Sequence, residues 1–316
     1  MVKNTTLKII FNLDGRTNYL HRYFTILTKY NINFDILIIN DLENSFSISN
    51  IYELNTNIII KKFDKKITGM NSLFRAMHSF NKIISNYDYV CFVEDDNFIF
   101  PHAINKCKDF LDKNKDYVGC NGLSFLFNKN ENFEFLNKYN SPAFWSEDII
   151  ERAIQYKKNG GLTYYSVFRN KTFIEICKEI ALIKDNNLSE IFFNYLVLIK
   201  GNLKALNQMY LAREYPRPTI YNIPKLDDWI NNNKLIYEIN FIVLRLKKQI
   251  KNLHKSSNSN LFLKHTLFNY ISIRINPFLI KQSLNILYQI YKKIYNIKYK
   301  RNPTIVNFLF SINNIK

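Results

Sequence analysis

The stretch Tyr89-Val90-Cys91-Phe92-Val93-Glu94-Asp95-Asp96-Asn97-Phe98 constrains the fold more than any other part of this chain. Five residues suited to a buried strand run directly into three consecutive acids, and Pro101 then opens a helical pattern from Ala103 to Lys113. In an open α/β sheet, ligands collect outside the carboxyl ends of the strands. Carboxylates crowded at such an end repel one another unless a cation or a donor network compensates. A divalent metal carrying a phosphate-containing substrate is the simplest compensation.

The chain around this stretch alternates strands and helices. Leu7 to Phe11 reads as a first strand, followed by the loop Asn12-Leu13-Asp14-Gly15-Arg16 and a helix from Thr17 to Lys29. Phe34 to Ile39 is a second strand ending at Asn40-Asp41, and Asn57 to Lys61 a third. Gly69 to Ile84 carries apolar residues at helical spacing, so the acids end about the fourth strand of a wound α/β unit. Tyr117 to Phe127 reads as one or two strands, Asn128 to Asn140 as a loop, and Ser146 as the cap of a helix through Lys158. Leu162 to Phe168 is a further strand, helices follow over 171–183 and 189–200, and Lys204 to Glu214 is a last strand before Tyr215-Pro216-Arg217-Pro218. These patterns divide the chain into an α/β domain at 1–220 and a helical region at 221–316.

Charge follows the same division. Residues 225–316 hold 16 Lys and Arg against 3 Asp and Glu, which accounts for most of the net charge of +18. In that region Leu235, Ile236, Ile239, Ile242, Val243, Leu246 and Ile250 share one helix face, with Lys247, Lys248 and Lys251 toward another. Such helices dock on the domain or lie on a membrane surface. An anionic membrane, nucleic acid and water alone would each suit the basic side, but no nucleic-acid-binding module is present and nucleic acid is not expected. The four cysteines are scattered without metal-ligand spacing, the histidines form no ligand motif, and neither a signal design nor an apolar run long enough to span a membrane is seen. The expected location is the cytoplasm, peripheral on the inner face of the membrane.

A nucleotide-sugar enzyme needs one carboxylate for a ribose hydroxyl and another to hold Mg²⁺ or Mn²⁺ against the diphosphate. On that reading Glu94 meets ribose, Asp96 binds metal and Asp95 supports them; the other reading is an acidic start to the following helix, favoured by its dipole. The run from Tyr89 to Ile104 resembles the metal-binding segment of glycosyltransferase family 2-like enzymes with the GT-A fold: an apolar strand, a D-x-D and a Pro before a helix. Leu13-Asp14-Gly15-Arg16 with Asn18-Tyr19-Leu20 is similar to their first nucleotide-binding loop, which brings in Asn12 and Arg16. Asp41 stands where they place an acid that contacts base or ribose. Phe110 to Asn114, Tyr164 to Arg169, Glu190 with Gly201, and Ala212-Arg213-Glu214 resemble a bacterial surface-polysaccharide subgroup, so the likeness spans residues 7–214. Glu94 replaces the usual first Asp, and Asn97 stands where another Asp is common.

The resemblance implies a GT-A mixed sheet flanked by helices and a metal-dependent, inverting transfer from a nucleotide-diphosphate sugar to a glycan or lipid-linked acceptor. The family's base is a carboxylate near the start of a helix, about a dozen residues before a Gly. Glu190 fits, although Ile191 follows it where an acid is common, and a helix capped by Asn186 or Ser189 would also place a Glu there. Glu147-Asp148 is the second candidate, with the same helix-start reading against it. Arg213 suits a bidentate clamp on the diphosphate, or a surface ion pair with Glu214 or a neighbour. Tyr164, Tyr165 and Arg169 suit an acceptor wall, or core and rim positions of a strand. A metal-dependent nucleotidyltransferase and a non-catalytic membrane-bound scaffold with a degenerate transferase fold are the alternatives.

Overall fold

The computed structural model of the chain describes residues 5–12, 17–41, 56–127, 135–139, 141–214, 233–254, 258–263 and 265–266. Its strands are β1 (Thr6–Asn12), β2 (Asp35–Asn40), β3 (Ile58–Lys62), β4 (Tyr89–Glu94), β5 (Asn97–Ile99), β6 (Tyr117–Phe127), β7 (Phe135–Tyr139), β8 (Val167–Arg169) and β9 (Asn202–Glu214). Among the described residues they form one nine-stranded mixed sheet in the order β3-β2-β1-β4-β8-β6-β9-β5, with β7 added to β6. The first four strands in space are parallel, as the alternating strand and helix patterns require, and β8 is antiparallel to both of its neighbours.

The helices are α1 (Thr17–Leu27), α2 (Met70–Ser79), α3 (Asn81–Ile84), α4 (Pro101–Lys113), α5 (Ile149–Asn159), α6 (Asn170–Ile180), α7 (Asn186–Lys200) and α8 (Asn233–Leu253). Side chains alternate across the sheet. Phe11 and Phe92 point to the face covered by α2, α6 and α7, where Phe92 meets Phe74 and Phe173, and Phe74 stacks on Phe193. On the other face Lys8, beside Cys91 in register, sits under α1. All six residues of β4 are buried, and the strand is sandwiched between these two layers.

Several sequence expectations change in the structure. The single run 69–84 breaks at Phe80 into α2 and α3. Tyr117–Phe127 is one long strand whose glycines are required by close approach. A Cβ at Gly122 would lie 2.7 Å from the Gln208 carbonyl oxygen, and one at Gly119 would lie 2.8 Å from Leu203. Part of the polar run 128–140 is β7 on the edge of β6, and the three-residue β5 follows the acids directly. Asp148 rather than Ser146 caps α5, accepting from the Ile150 amide at 2.8 Å, and Asp185 rather than Asn186 or Ser189 caps α7 through the Leu188 amide. The Leu162–Phe168 region is a 3₁₀ turn over Thr163–Tyr165 leading into β8. Helix α8 docks on the domain through buried Ile242, Val243, Leu246 and Ile250, while the side chains of Leu235 and Ile236 lie outside the described residues.

Lys8 is the least expected core residue. Its ammonium is fully buried, donates to the Ile99 carbonyl at 2.8 Å, and lies 4.7 Å from the Tyr23 ring centre, 5.3 Å from Phe98 and 5.5 Å from Phe34. It thereby ties β5 to the middle of β1. Burial lowers its pKa to about 7. Between that value and an unfolded value of about 10.4, the unfolded chain binds more protons than the folded one, so stability rises with pH across this window. In paired urea melts, the wild-type chain is expected to gain stability relative to Lys8→Met as pH rises from 7 toward 10. A pH-independent difference would mean that the folded ammonium keeps its charge throughout.

Candidate active site

The carboxyl edge of the sheet is set by register. Phe11 lies beside Glu94 and Asn12 beside Asn40, so the ends of β1, β2 and β4 share one edge. The opposite edge carries Tyr89 beside Arg169 and Tyr117 beside Asn202. Asn12, Asp41, Glu94, Asp95 and Asp96 therefore come together at the first edge, whereas Arg16 lies outside the described residues. Asp41 is fully buried, and Glu94, Asp95 and Asp96 are 8%, 2% and 8% exposed.

Of the three buried acids in sequence, Glu94 takes one donor from the strand that follows and one from a distant segment. Glu94 Oε2 accepts from the Tyr165 hydroxyl at 2.8 Å and from Asn97 Nδ2 at 3.0 Å. Asn97 pairs with Arg213 across β5 and β9, and the Arg213 guanidinium lies 5.2 Å from the centre of the Tyr165 ring. Tyr165 is itself fixed by Tyr210, whose hydroxyl donates to its carbonyl at 2.5 Å. Glu214, next to Arg213 in the chain, pairs with Arg22 at 2.6 Å. The Asp95 amide donates to the Phe11 carbonyl, and Asp95 and Asp96 border a cavity of about 230 Å³ whose other walls include Tyr23, Phe98 and Phe100. Glu94 thus serves the side of the sheet under α7, and the two aspartates border a space on the α1 side.

Glu190 joins the same edge. Helix α7 starts at this edge and descends to Gly201, where β9 begins on the far edge. With Asp185 as the cap, Glu190 lies beyond the first turn, half-buried, in a place from which it has no capping duty. Asn194, one turn further on, accepts from both the amide and the hydroxyl of Thr163, which ties α7 to the 3₁₀ turn. The Tyr164 hydroxyl between them feels Glu190, Tyr165, Arg213 and Glu94; after burial, the charge of Glu190 is the largest influence raising its pKa. The two acids, almost a hundred residues apart in the chain, thus act on one buried hydroxyl.

Other expected site residues are placed elsewhere. Tyr164 and Tyr165 are 4% and 3% exposed, so they support the site from beneath and cannot form an open acceptor wall. Arg169 is on the opposite edge, donating to the carbonyls of Tyr117, Leu111 and Asn114 and so closing the end of α4. Glu147 and Asp148 are on that far edge too, because the Ser146 amide bonds to Asn202 at the start of β9. Asp148 is spent as a helix cap, so neither belongs with the acids of β4. Among the described residues no group of three His, Cys, Asp or Glu side chains is arranged to hold a metal by protein ligands alone. The donors present suit instead a hard cation that takes one or two carboxylates and completes its shell with phosphate oxygens and water.

No protein-family model matches the sequence, and no curated protein matches it. Solved structures do. Staphylococcus aureus TarS 1–349 in complex with UDP-GlcNAc superposes with a TM-score of 0.58 at 13% identity, over 91% of this chain and 81% of that chain. The complex of TarS 1–349 with UDP gives a TM-score of 0.54 at 12% identity, over 97% and 87% of the two chains. A further structure of TarS 1–349 gives a TM-score of 0.56 at 13% identity, over 91% and 80% of the two chains. Likeness at this identity is a likeness of fold, and the fold is the GT-A mixed sheet flanked by helices that the motifs resemble.

Proposed function

We propose that this chain is a glycosyltransferase that moves a sugar from a nucleotide-diphosphate donor to a glycan or lipid-linked acceptor in surface-polysaccharide synthesis. One observation carries the reading: at the carboxyl edge of the sheet Glu94 accepts from Tyr165 and Asn97, the Arg213 guanidinium lies over the Tyr165 ring, and buried Asp95 and Asp96 border an aromatic-lined cavity beside them. The UDP-GlcNAc and UDP complexes of the similar fold support a nucleotide-sugar donor.

In this reading Glu94 and Asp41, with Asn12, receive the nucleoside, and the Arg213 guanidinium receives the diphosphate. Asp96, with Asp95 beside it, would hold Mn²⁺ or Mg²⁺, which when bound neutralises charge on the diphosphate. The Glu190 carboxylate accepts the proton of the acceptor hydroxyl as that oxygen bonds to the anomeric carbon. The bond from that carbon to the diphosphate breaks, and its electron pair departs on the diphosphate beside Arg213. Attack opposite the leaving group inverts the anomeric configuration. Aromatic side chains beside Asp95 and Asp96 suit a sugar, which offers C–H faces to rings and hydroxyls to carboxylates.

The test is release of nucleoside diphosphate and transfer of labelled sugar from a panel of nucleotide sugars, with and without Mn²⁺. Glu190→Gln is expected to lower kcat by at least about 100-fold while donor affinity persists, because a general base contributes about 10² to 10⁴. Asp96→Asn is expected to weaken metal-dependent donor binding as well as turnover. Full turnover in both variants would remove the assignment, and donor binding without turnover in the wild type would favour a non-catalytic scaffold.

Tyr165→Phe removes a hydroxyl that donates to Glu94 without changing ring packing. A donor KM raised about tenfold, with kcat altered far less, is expected for losing a hydrogen bond to a charged group. An equal fall in kcat at unchanged KM would place Tyr165 in transition-state stabilisation instead.

A further inference from the structure

Helix α8 has a second face that the domain does not cover. Its inner face is fixed to α6 and α7: Arg245 pairs with Glu179 at 2.7 Å, and Glu238 accepts from the Lys184 and Asp185 amides at 3.0 Å each. Opposite that face, Tyr237, Leu244, Lys248 and Lys251 fall on one stripe at spacings of seven, four and three residues. Tyr237 is 63% and Leu244 46% exposed, and both lysines are exposed. Among the described residues, no carboxylate pairs with Lys248 or Lys251, and the acids nearest the helix are already engaged through Arg245 and the two amides.

We propose that this outer stripe of α8 is a docking surface for an anionic lipid bilayer. A docked helix that presents large apolar side chains among lysines matches the interface of such a bilayer, where rings and leucine enter the acyl boundary and ammonium groups stay among the headgroups. Nucleic acid would meet the lysines but leave Tyr237 and Leu244 in water. A second copy meeting this stripe by two-fold symmetry would bring no carboxylate to the lysines, because the stripe carries none. No described helix is long and apolar enough to cross a membrane, so the contact lies on the surface. The helix that carries the stripe is tied through Glu238 to the residues that open α7. The docking itself does not depend on the transferase reading.

The full-length chain is tested by co-sedimentation with vesicles of phosphatidylcholine alone and of phosphatidylcholine mixed with phosphatidylglycerol. Binding to the mixed vesicles only, weakened by salt, is expected. Lys248→Gln and Lys251→Gln should each reduce partitioning about fivefold, and Leu244→Ser should weaken binding at high and low salt alike. Circular dichroism melts of each variant should match the wild type, since the three side chains are exposed. Unchanged binding by all three variants, equal binding to uncharged vesicles, or an oligomer that Leu244→Ser dissociates would overturn the proposal. Duplex DNA binding that the same lysine variants abolish, without vesicle binding, would overturn it too.

Discussion

Crowded negative charge at the end of a buried strand is the constraint around which this protein is built. β4 is covered on both faces, so Glu94, Asp95 and Asp96 cannot spread into solvent without moving the centre of the sheet. Glu94 at the head of the run is held by one donor close in sequence and one from far along the chain. Tyr165 and Asn97 donate to Glu94, Arg213 lies over the Tyr165 ring, and the Asp95 amide is tied back to β1. Lys8 adds a brace below, joining β5 to β1 so that both strands flanking the acidic turn are anchored to one neighbour.

The second support is the link between sheet and helix layer. Asn194 holds Thr163, the 3₁₀ turn presents Tyr165 to Glu94, and the same turn places Tyr164 between Glu94 and Glu190. Tyr164 stacks on Phe92, the buried centre of β4, at 5.9 Å between ring centres. A displacement of α7 is therefore transmitted to the acids through packed rings and through two hydrogen bonds at Thr163. This unit links α7, which carries Glu190, to the strand that carries Glu94.

Much of this was legible in the sequence because it is written in local patterns. Alternating strand and helix periods gave the parallel strands, and an apolar run ending in acids located the carboxyl edge with Asp41 and Glu94 on it. What was not legible depends on tertiary partners. β5 is three residues long and looks like an approach to α4 until β9 pairs with it. β7 sits in a polar run because it is an edge strand. Lys8 interrupts an otherwise apolar strand, and nothing near it in sequence announces the three rings that enclose it. Tyr164 and Tyr165 suit by sequence either an acceptor wall or core and rim positions of a strand, and they are buried in a 3₁₀ turn packed between β4 and α7. Arg169 and Asp148 carry chemistry-bearing side chains but complete helix ends on the far edge.

The central claim is that the acidic edge of β4 receives a nucleoside diphosphate together with a divalent cation. Differential scanning fluorimetry with nucleoside mono- and diphosphates, with and without Mn²⁺, addresses it directly. The account predicts a raised Tm for one nucleoside diphosphate, present only when the metal is added and absent for the corresponding monophosphate. Stabilisation by mono- and diphosphates alike without metal, or no stabilisation by any of them, would contradict it.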